Sequence, residues 1–265
     1  MIREQTAGSC ALTDMAASRN RAATPKIKSR VRALVKDLVP PLALRAYRKV
    51  KSGRYYGLNK LDSKLEKYIN YDGGFYVELG ANDGITQSNS LYYERNRNWT
   101  GILIEPSPQE FIKCKQNRAN TNAFFCAACV SFDYPDEFVR LAYSSLCSVA
   151  LELETDIGDP MEHALDGAEH TGPDDGVPVF GAEAKTLNEL LIRGLAPQKI
   201  DLLSLDVEGA ELEVLKGIDH QKFRFAYMLI ECRNIDRLSQ YLAGHGYRLV
   251  DQLSFHDYLF ASDSE

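Results

Sequence analysis

The sequence predicts an α/β fold: a doubly wound, mostly parallel sheet of seven strands in which one strand runs antiparallel. The first observation is that short apolar segments alternate with helical segments, and strands connected through helices run parallel. The second is that the last two strand segments are separated by only a few residues, which permits only an antiparallel hairpin. The expected strands span seven segments: 75–79, 101–105, 122–128, 200–205, 225–231, 247–252 and 256–261.

Helical segments are expected before and between these strands, and the chain length limits the number of domains. A chain of 265 residues with 45% hydrophobic residues suits one large domain with extensions and a substantial core. We expect a main domain at 58–265, preceded by an arm at 1–57. The expected helices span 61–69, 87–97, 107–119, 186–193, 210–217 and 234–245.

The arm is basic, whereas the main domain is acidic. Residues 1–57 contain 13 Lys/Arg and 3 Asp/Glu, and the remainder contains 18 and 34. Residues 1–25 lack hydrophobic periodicity, which predicts disorder. Residues 29–51 alternate basic and apolar positions, and Pro40-Pro41 divides them into two short helices. Two interpretations of 29–51 stay open: a basic segment resting on an anionic membrane surface, or helices packed on the main domain with solvated charges.

Charge and hydropathy exclude several classes of function. An acidic main domain argues against a nucleic-acid substrate, because neutralising phosphates requires clustered Lys and Arg. The first 25 residues lack the apolar segment of a secretory signal, and no apolar run is long enough to span a bilayer. We therefore expect a cytoplasmic protein with reduced thiols, in peripheral contact with the inner face of the membrane if the arm binds lipid.

The six cysteines do not form a recognisable metal-ligand set. Cys126-x-x-Cys129 lies in an apolar stretch, without a second such pair or a nearby pair of histidines. This pair is interpreted as buried core, and the sequence predicts no metal site.

The first expected strand ends in a turn that is typical of a nucleotide-like ligand site. Residues 76–84 read Tyr-Val-Glu-Leu-Gly-Ala-Asn-Asp-Gly, and Glu105 follows Gly84 by 21 residues. Glycines let the backbone pass close to a ligand, N–H groups of the following helix face it, and an acid after the next strand accepts hydrogen bonds from ribose. The alternative is an ordinary strand–turn–helix connection.

Two features of this turn distinguish between cofactors. The dinucleotide fingerprint requires a third glycine, which is missing here. A carboxylate at Glu78 would repel a pyrophosphate but attract the ammonium and sulfonium groups of S-adenosylmethionine. The pattern therefore favours S-adenosylmethionine over a dinucleotide.

A group of acids follows two later strands. Asp206 and Glu208 come after the strand at 200–205, and Glu231 ends the next strand. Crowded carboxylates raise one another's pKa, which suits a general base, and a bound divalent cation can also neutralise them. The alternative is helix capping, with Asp206 as N-cap and Glu208 and Glu211 complementing the helix dipole.

Residues 141–184 interrupt the alternation of strands and helices. They contain ten Asp/Glu and no Lys or Arg. Long insertions are commonly lids or binding loops, and ligands in doubly wound folds bind beyond the carboxyl ends of the strands. We expect the parts at 144–148 or 162–169 to contribute to an acceptor site; the alternative is a solvated surface loop.

Taken together, these motifs resemble those of FkbM-type S-adenosylmethionine-dependent methyltransferases over about 75–261. The resemblance is carried by Val77-Glu-Leu-Gly-Ala-Asn-Asp-Gly84, by the segments 87–90, 99–108 and 203–217, by the pairs Asn117-Arg118 and Thr186-Leu187, and by their order. Ser204 departs from the Lys that many members have there. The resemblance implies a class I methyltransferase, or Rossmann-like, fold and O-methylation of a hydroxyl on a sugar or polyketide-like acceptor.

The resemblance also implies which residues bind the cofactor. The four turn positions would line the methionine part, the acid after the second strand would hold the ribose, and the end of the third strand would flank the adenine. The positions carried over are Glu78, Gly80, Asn82, Gly84, Glu105, Pro106, Ala127 and Asp206.

For catalysis, Asp206 would lie near the methionine ammonium or the acceptor, and Glu208 and Glu231 would act as base or orient the acceptor. His256 is a weaker candidate, because a single His in a strand is more often structural. The leading expectation is a sugar O-methyltransferase acting on a glycan or lipid-linked saccharide. The alternatives are O-methylation of a soluble small molecule and a non-catalytic binding or scaffold protein that keeps the fold.

Overall fold

The computed structural model describes residues 55–169 and 177–263, and the basic segment 29–51 lies outside them. Within the described ranges, no helix is both long and apolar enough to cross a membrane.

The main sheet has seven strands in the order β10–β11–β9–β8–β1–β2–β3, which confirms the predicted fold class. Strands β3, β2, β1, β8 and β9 are parallel, and β11 runs antiparallel to both of its neighbours. The last strand of the chain is therefore inserted between β9 and β10. The strands span Phe75–Leu79 (β1), Thr100–Ile104 (β2), Ala123–Phe125 (β3), Lys199–Leu205 (β8), Arg224–Glu231 (β9), Tyr247–Gln252 (β10) and Asp257–Ser262 (β11).

All six predicted helices are present, and each is shorter than expected. The largest differences are at α1, which ends at Leu65 rather than at residue 69, and at α2, which begins at Leu91 rather than at residue 87. Before α2, the chain from Gly80 to Ser90 forms a polar loop instead. The corresponding helices span Leu61–Leu65 (α1), Leu91–Arg97 (α2), Pro108–Asn117 (α3), Leu187–Arg193 (α5), Glu211–Leu215 (α6) and Ile235–Gly244 (α7).

A second sheet of four strands was not predicted. Its order is β4–β7–β5–β6, and the acidic insertion supplies the end of β5, all of β6 and most of β7. The single strand expected at 122–128 is divided, because β3 stays in the main sheet while β4 pairs with β7. The insertion is therefore not an irregular loop: it contributes β6, a helix and most of β7. These elements span Ala128–Val130 (β4), Phe138–Ala142 (β5), Val149–Ala150 (β6), Pro160–Glu169 (α4) and Val179–Thr186 (β7).

Helices cover both faces of the main sheet. On one face, buried side chains such as Val77, Leu203 and Met228 form a cluster with α5, α6 and α7. On the other, Tyr76 and Leu202 cluster with α1, α2 and α3. Because successive side chains point to opposite faces, strands that are buried on both sides have nearly continuous apolar sequences. This is why the sequence locates these strands so clearly.

Gly80 allows the loops after β1 and β8 to touch. Its φ is +74°, in the left-handed region that favours glycine. A Cβ built on Gly80 would lie 1.9 Å from the carbonyl oxygen of Asp206, a distance that real atoms do not adopt. The close approach of these two loops places the Asp206 carboxylate beside the first glycine turn.

Candidate active site

A cavity of about 340 Å³ opens at the carboxyl ends of β1, β2, β8 and β9. This is the edge at which doubly wound folds bind ligands, and the volume is within the range of small-molecule and cofactor sites. Nine of the residues expected from the sequence line it: Glu78, Gly80, Asn82, Glu105, Pro106, Ala127, Asp206, Glu208 and Glu231.

Two candidate residues lie elsewhere. Gly84 faces away from the cavity: a Cβ there would lie 2.8 Å from Cγ of Arg118 and 3.0 Å from Sγ of Cys114. His256 lies in the turn between β10 and β11, where its carbonyl accepts a hydrogen bond from the Cys232 amide. Gly84 therefore permits the packing of α3 against the turn. The contact recorded for His256 is made by its main chain, which connects the β10–β11 turn to Cys232.

Glu78 is compensated by the protein itself. Its carboxylate, only 4% exposed as a residue, forms an ion pair of 3.1 Å with Arg118 and accepts hydrogen bonds from the Ser88 and Ser90 hydroxyls. Glu78 therefore does not offer an unpaired charge to a ligand, because its carboxylate is already paired with Arg118. Glu78 instead fixes the loop that forms one wall of the cavity.

The same network explains why α2 does not present its N-terminus to the cavity. The backbone N–H groups of Asn89 and Ser90 donate to Glu78 Oε1 at 3.0 and 3.4 Å, and the helix starts only at Leu91. The amides that the sequence assigned to a ligand are therefore bonded to an internal carboxylate.

Sequence reasoning did not assign a role to Arg118, the residue on which this network depends. Its side chain is fully buried, pairs with Glu94 at 2.8 Å and donates to the Tyr76 hydroxyl at 2.8 Å. No local pattern marks it, because its partners are 24 to 42 residues away in the chain. Its position after α3 within the family motif was the only available signal.

Glu105 joins the loops after β1 and β2. Its two carboxylate oxygens accept hydrogen bonds of 2.8 Å from the amides of Asn82 and Ser107. Burial raises the pKa of Glu105 to about 7, with these two amides acting in the opposite direction. Each oxygen keeps a second lone pair, so the carboxylate can accept further hydrogen bonds from a ligand.

Asp206 and Glu231 form a hydrogen-bonded pair of acids at the other side of the cavity. Burial, then the charges of Glu231 and Glu208, hold the pKa of Asp206 well above its usual range. Burial and Glu208 raise the pKa of Glu231 to about 7, opposed by Arg233. Both acids of the pair therefore hold a proton at higher pH than isolated carboxyl groups do.

The capping interpretation of Asp206 was wrong. Helix α6 begins at Glu211, and its N-cap is Ala210, without a side-chain cap. Glu211 closes the preceding turn itself, because its Oε1 accepts hydrogen bonds from the amides of Val207 and Gly209. Asp206 is thus left facing the cavity.

Glu208 lies between the main sheet and the insertion. It has a φ of +55°, its Oε2 is 2.9 Å from Nε2 of His163, and it is 3.5 Å from the Arg233 guanidinium. The insertion also supplies cavity-lining residues from its 3-10 turn, Ser145–Cys147, and from Ser148. The insertion therefore contacts the site through the part at 144–148, and α4 meets it through His163.

Two further polar residues of the cavity were not predicted. Asn89 donates a hydrogen bond of 3.2 Å from Nδ2 to the Ser204 hydroxyl. Its buried Oδ1 has no hydrogen-bond partner among the described residues. This oxygen lies against the backbone of Gly57, where an added Cβ would be 2.7 Å away from it.

These residues fit S-adenosylmethionine. Glu105 offers carboxylate lone pairs for a ribose, and Ile104, Pro106 and Ala127 provide an apolar wall for an adenine. The acids Asp206 and Glu231 also line the cavity and suit the positively charged methionine end.

The sheet order, the reversed β11 and this cavity define the class of protein, a class I S-adenosylmethionine-dependent methyltransferase fold. The model of the methyltransferase FkbM domain matches residues 78–249. The chain therefore belongs to the FkbM methyltransferase family.

Comparison with solved structures finds methyltransferases of similar architecture. A methyltransferase from Geobacter sulfurreducens is 11% identical, with 88% of this chain and 94% of that chain covered and a TM-score of 0.38. A S-adenosylmethionine-dependent methyltransferase from Thiobacillus denitrificans, in complex with S-adenosyl-L-homocysteine, is 10% identical, with 80% and 73% covered and a TM-score of 0.32. A comparison with the curated proteins finds no match in sequence.

Proposed function

We propose that the protein is an O-methyltransferase that transfers the methyl group of S-adenosylmethionine to a sugar hydroxyl, on a glycan or a lipid-linked saccharide. The observation that carries this proposal is the group of three carboxylates on one side of the cavity, Asp206, Glu208 and Glu231. A hydroxyl acceptor must lose a proton during methylation, and a positioned base accelerates such a step by about 10²- to 10⁴-fold.

The cofactor would be held across the carboxyl ends of the strands. Glu105 accepts hydrogen bonds from the ribose, Pro106 and Ala127 contact the adenine, and the loop from Gly80 to Asn82 borders the methionine part. S-adenosylmethionine supplies an electrophilic methyl group on a sulfonium. Holding the two reactants in line is worth roughly 7–11 kcal/mol of the barrier, and this is the contribution of the rigid cavity walls.

Glu231 is the base in this proposal. Its carboxylate lies beside Asp206, and its lone pairs can accept a hydrogen bond from the acceptor hydroxyl. Glu208, at the junction with the insertion, orients the acceptor.

A saccharide is favoured by the polar groups at the cavity mouth. Gln87, Thr86, Ser145 and Ser148 line it with amide and hydroxyl groups, and carboxylates accept hydrogen bonds well from vicinal hydroxyls. Leu146 is 39% exposed beside them and offers an apolar surface for the face of a sugar ring. The acidic main domain argues against a nucleic-acid acceptor.

The experiment is transfer of a tritiated methyl group from S-adenosylmethionine to the lipid-linked saccharide and glycan fractions of the source cells. We expect label in a saccharide fraction that survives alkali, because a methyl ether is stable under conditions that hydrolyse a methyl ester. Glu231→Gln should reduce transfer by at least about 100-fold. Glu152→Gln is the control, because that carboxylate pairs with Arg140 outside the cavity. Absence of label from all saccharide fractions would reject the acceptor class.

An experiment on the basic arm distinguishes a lipid-linked acceptor from a soluble small molecule. If the acceptor is lipid-linked, the full chain should cosediment with anionic vesicles, and removing residues 1–50 should abolish this while leaving S-adenosylhomocysteine binding intact. Equal cosedimentation of both forms would favour the soluble acceptor. A binding protein without catalytic activity would bind S-adenosylhomocysteine but transfer no label to any fraction.

A further inference from the structure

Three residues with different ligand atoms meet at the rim of the cavity. Sγ of Cys147, an imidazole nitrogen of His163 and a carboxylate oxygen of Glu208 all lie within 4.8 Å of one another. Cys147 and His163 are 16 positions apart in the chain, and His163 and Glu208 are 45 apart. These separations do not match a known metal-binding motif, so the sequence alone does not indicate the group.

The positions of these side chains are fixed by packing. Cys147 ends the 3-10 turn of the insertion, and His163 lies on α4, which packs directly on that turn. A Cβ at Gly167 of α4 would lie 2.6 Å from Cβ and 3.1 Å from Sγ of Cys147. It would also lie 2.8 Å from the Ser144 hydroxyl, which is buried and has no hydrogen-bond partner among the described residues.

The environment favours a cation. Asp206 and Glu231 line the same cavity as Glu208, and within the described residues the guanidinium of Arg233 lies 3.5 Å from Glu208 and 4.0 Å from Glu231. Side chains of His163 and Glu208 are 23% and 14% exposed, so solvent screens their charges only partly.

We propose that Cys147, His163 and Glu208 bind a divalent transition-metal ion, with Zn²⁺ the best match. Thiolate, imidazole and carboxylate are the three ligand types that Zn²⁺ accepts, whereas Mg²⁺ and Ca²⁺ prefer oxygen ligands alone. Three protein ligands leave a fourth position, as in open zinc sites. Cys147 and Glu208 both line the cavity, so this position faces the acceptor end.

The ion would connect the acidic insertion to the loop after β8. Two ligands come from the insertion and the third from the main domain, so binding would order the acceptor side of the cavity. The open position can hold the oxygen of an acceptor hydroxyl. This last role rests on the proposed methyl transfer, whereas metal binding itself does not.

The test is a Co²⁺ and Zn²⁺ titration of the full, tag-free chain. We expect one Co²⁺ per chain, with thiolate-to-cobalt charge-transfer absorption and the intense visible bands of tetrahedral cobalt, and displacement of both by Zn²⁺. Cys147→Ser should abolish the charge-transfer absorption, and His163→Ala should weaken Zn²⁺ binding at least tenfold. Cys126→Ser is the matched control, because that half-buried thiol lies outside the group.

Hydrogen exchange provides a second readout that does not depend on spectroscopy. Zn²⁺ should slow exchange of amides in α4 and the 3-10 turn of the wild-type chain but not of Cys147→Ser. Loss of the cobalt signal in Cys126→Ser with retention in Cys147→Ser, or no stoichiometric charge-transfer band in folded wild type, would overturn the proposal. Either result would leave the methyl-transfer proposal intact, because S-adenosylhomocysteine binding is measured separately without added metal.

Discussion

At the residue scale, the chemistry of the site depends on how burial acts on single carboxyl groups. Glu78 and Glu105 both lie in the cavity wall and are 4% and 6% exposed. Glu78 has the buried Arg118 guanidinium as partner, whereas Glu105 has only two backbone amides, and burial raises its pKa to about 7. Glu105 therefore keeps capacity for a ligand that Glu78 has used within the protein.

This difference predicts a pH dependence of cofactor binding. The Glu105 carboxylate accepts hydrogen bonds from a ribose best when it is ionised, so affinity for S-adenosylhomocysteine should fall as pH decreases through about 7. The limit is about tenfold per pH unit for a ligand that binds only the ionised form. Glu105 faces the amides of Asn82 and Ser107, and Glu110 is the nearby charge that acts on it.

Calorimetric titrations between pH 6 and pH 8.5 provide the measurement. Glu105→Gln should bind S-adenosylhomocysteine more weakly at high pH, and its affinity should change less with pH than that of the wild type. Glu152→Gln should show the same affinity and the same pH dependence as the wild type. An unchanged slope in Glu105→Gln would assign the dependence to the pair of acids, Asp206 and Glu231, instead.

At the element scale, the site is held by contacts between loops that follow different strands. The buried ion pairs of Arg118 connect the end of α3 to Glu78 in β1 and Glu94 in α2. Removing one member of a buried pair leaves an uncompensated charge, which typically costs about 3–5 kcal/mol.

Arg118→Met should therefore lower the free energy of unfolding by about 3–5 kcal/mol, measured by urea denaturation. Arg140→Met is the matched control: this exposed guanidinium pairs with Glu152, and such pairs contribute about 0–1 kcal/mol. Adding Glu78→Gln to Arg118→Met should recover part of the loss. Strict additivity of the two substitutions would contradict a coupled pair.

The contact between the loops after β1 and β8 gives a second prediction at this scale. Gly80→Ala should weaken S-adenosylhomocysteine binding at least tenfold, because the new Cβ would lie 1.9 Å from the Asp206 carbonyl oxygen and push that loop away. The same substitution should lower the free energy of unfolding by about 1–3 kcal/mol. Gly158→Ala is the control, since no atom of the part of the chain that the structure describes, apart from its sequence neighbours, lies within 4 Å of its Cβ position. Wild-type affinity in Gly80→Ala would show that this contact does not shape the cavity.

The sequence predicts some strands more accurately than others. Strands β1, β8 and β9 are buried on both faces and read as continuous apolar runs, so their positions agree with the structure within one residue. The second sheet was missed because β6 has two residues and β7 combines exposed and half-buried positions. Its pairing of β5 with β7 spans the acidic insertion, and such long-range pairing has no local signal.

At the scale of the whole molecule, the site combines groups that chain order separates. The motif around Glu105 and the acids at Asp206 and Glu231 were found in the sequence because they follow strands of one parallel sheet. The roles of Arg118 and Asn89 and the contact of His163 with Glu208 could not be predicted, since they depend on side chains that meet only after folding.

The central claim is that this cavity binds S-adenosylmethionine. The most direct measurement is a calorimetric titration of the purified chain with S-adenosylhomocysteine, alongside Glu105→Ala. We predict micromolar binding at one site per chain, weakened at least tenfold, or about 1.4 kcal/mol, by Glu105→Ala. No binding by the folded wild-type chain, or equal binding by Glu105→Ala, would contradict the account of the cavity.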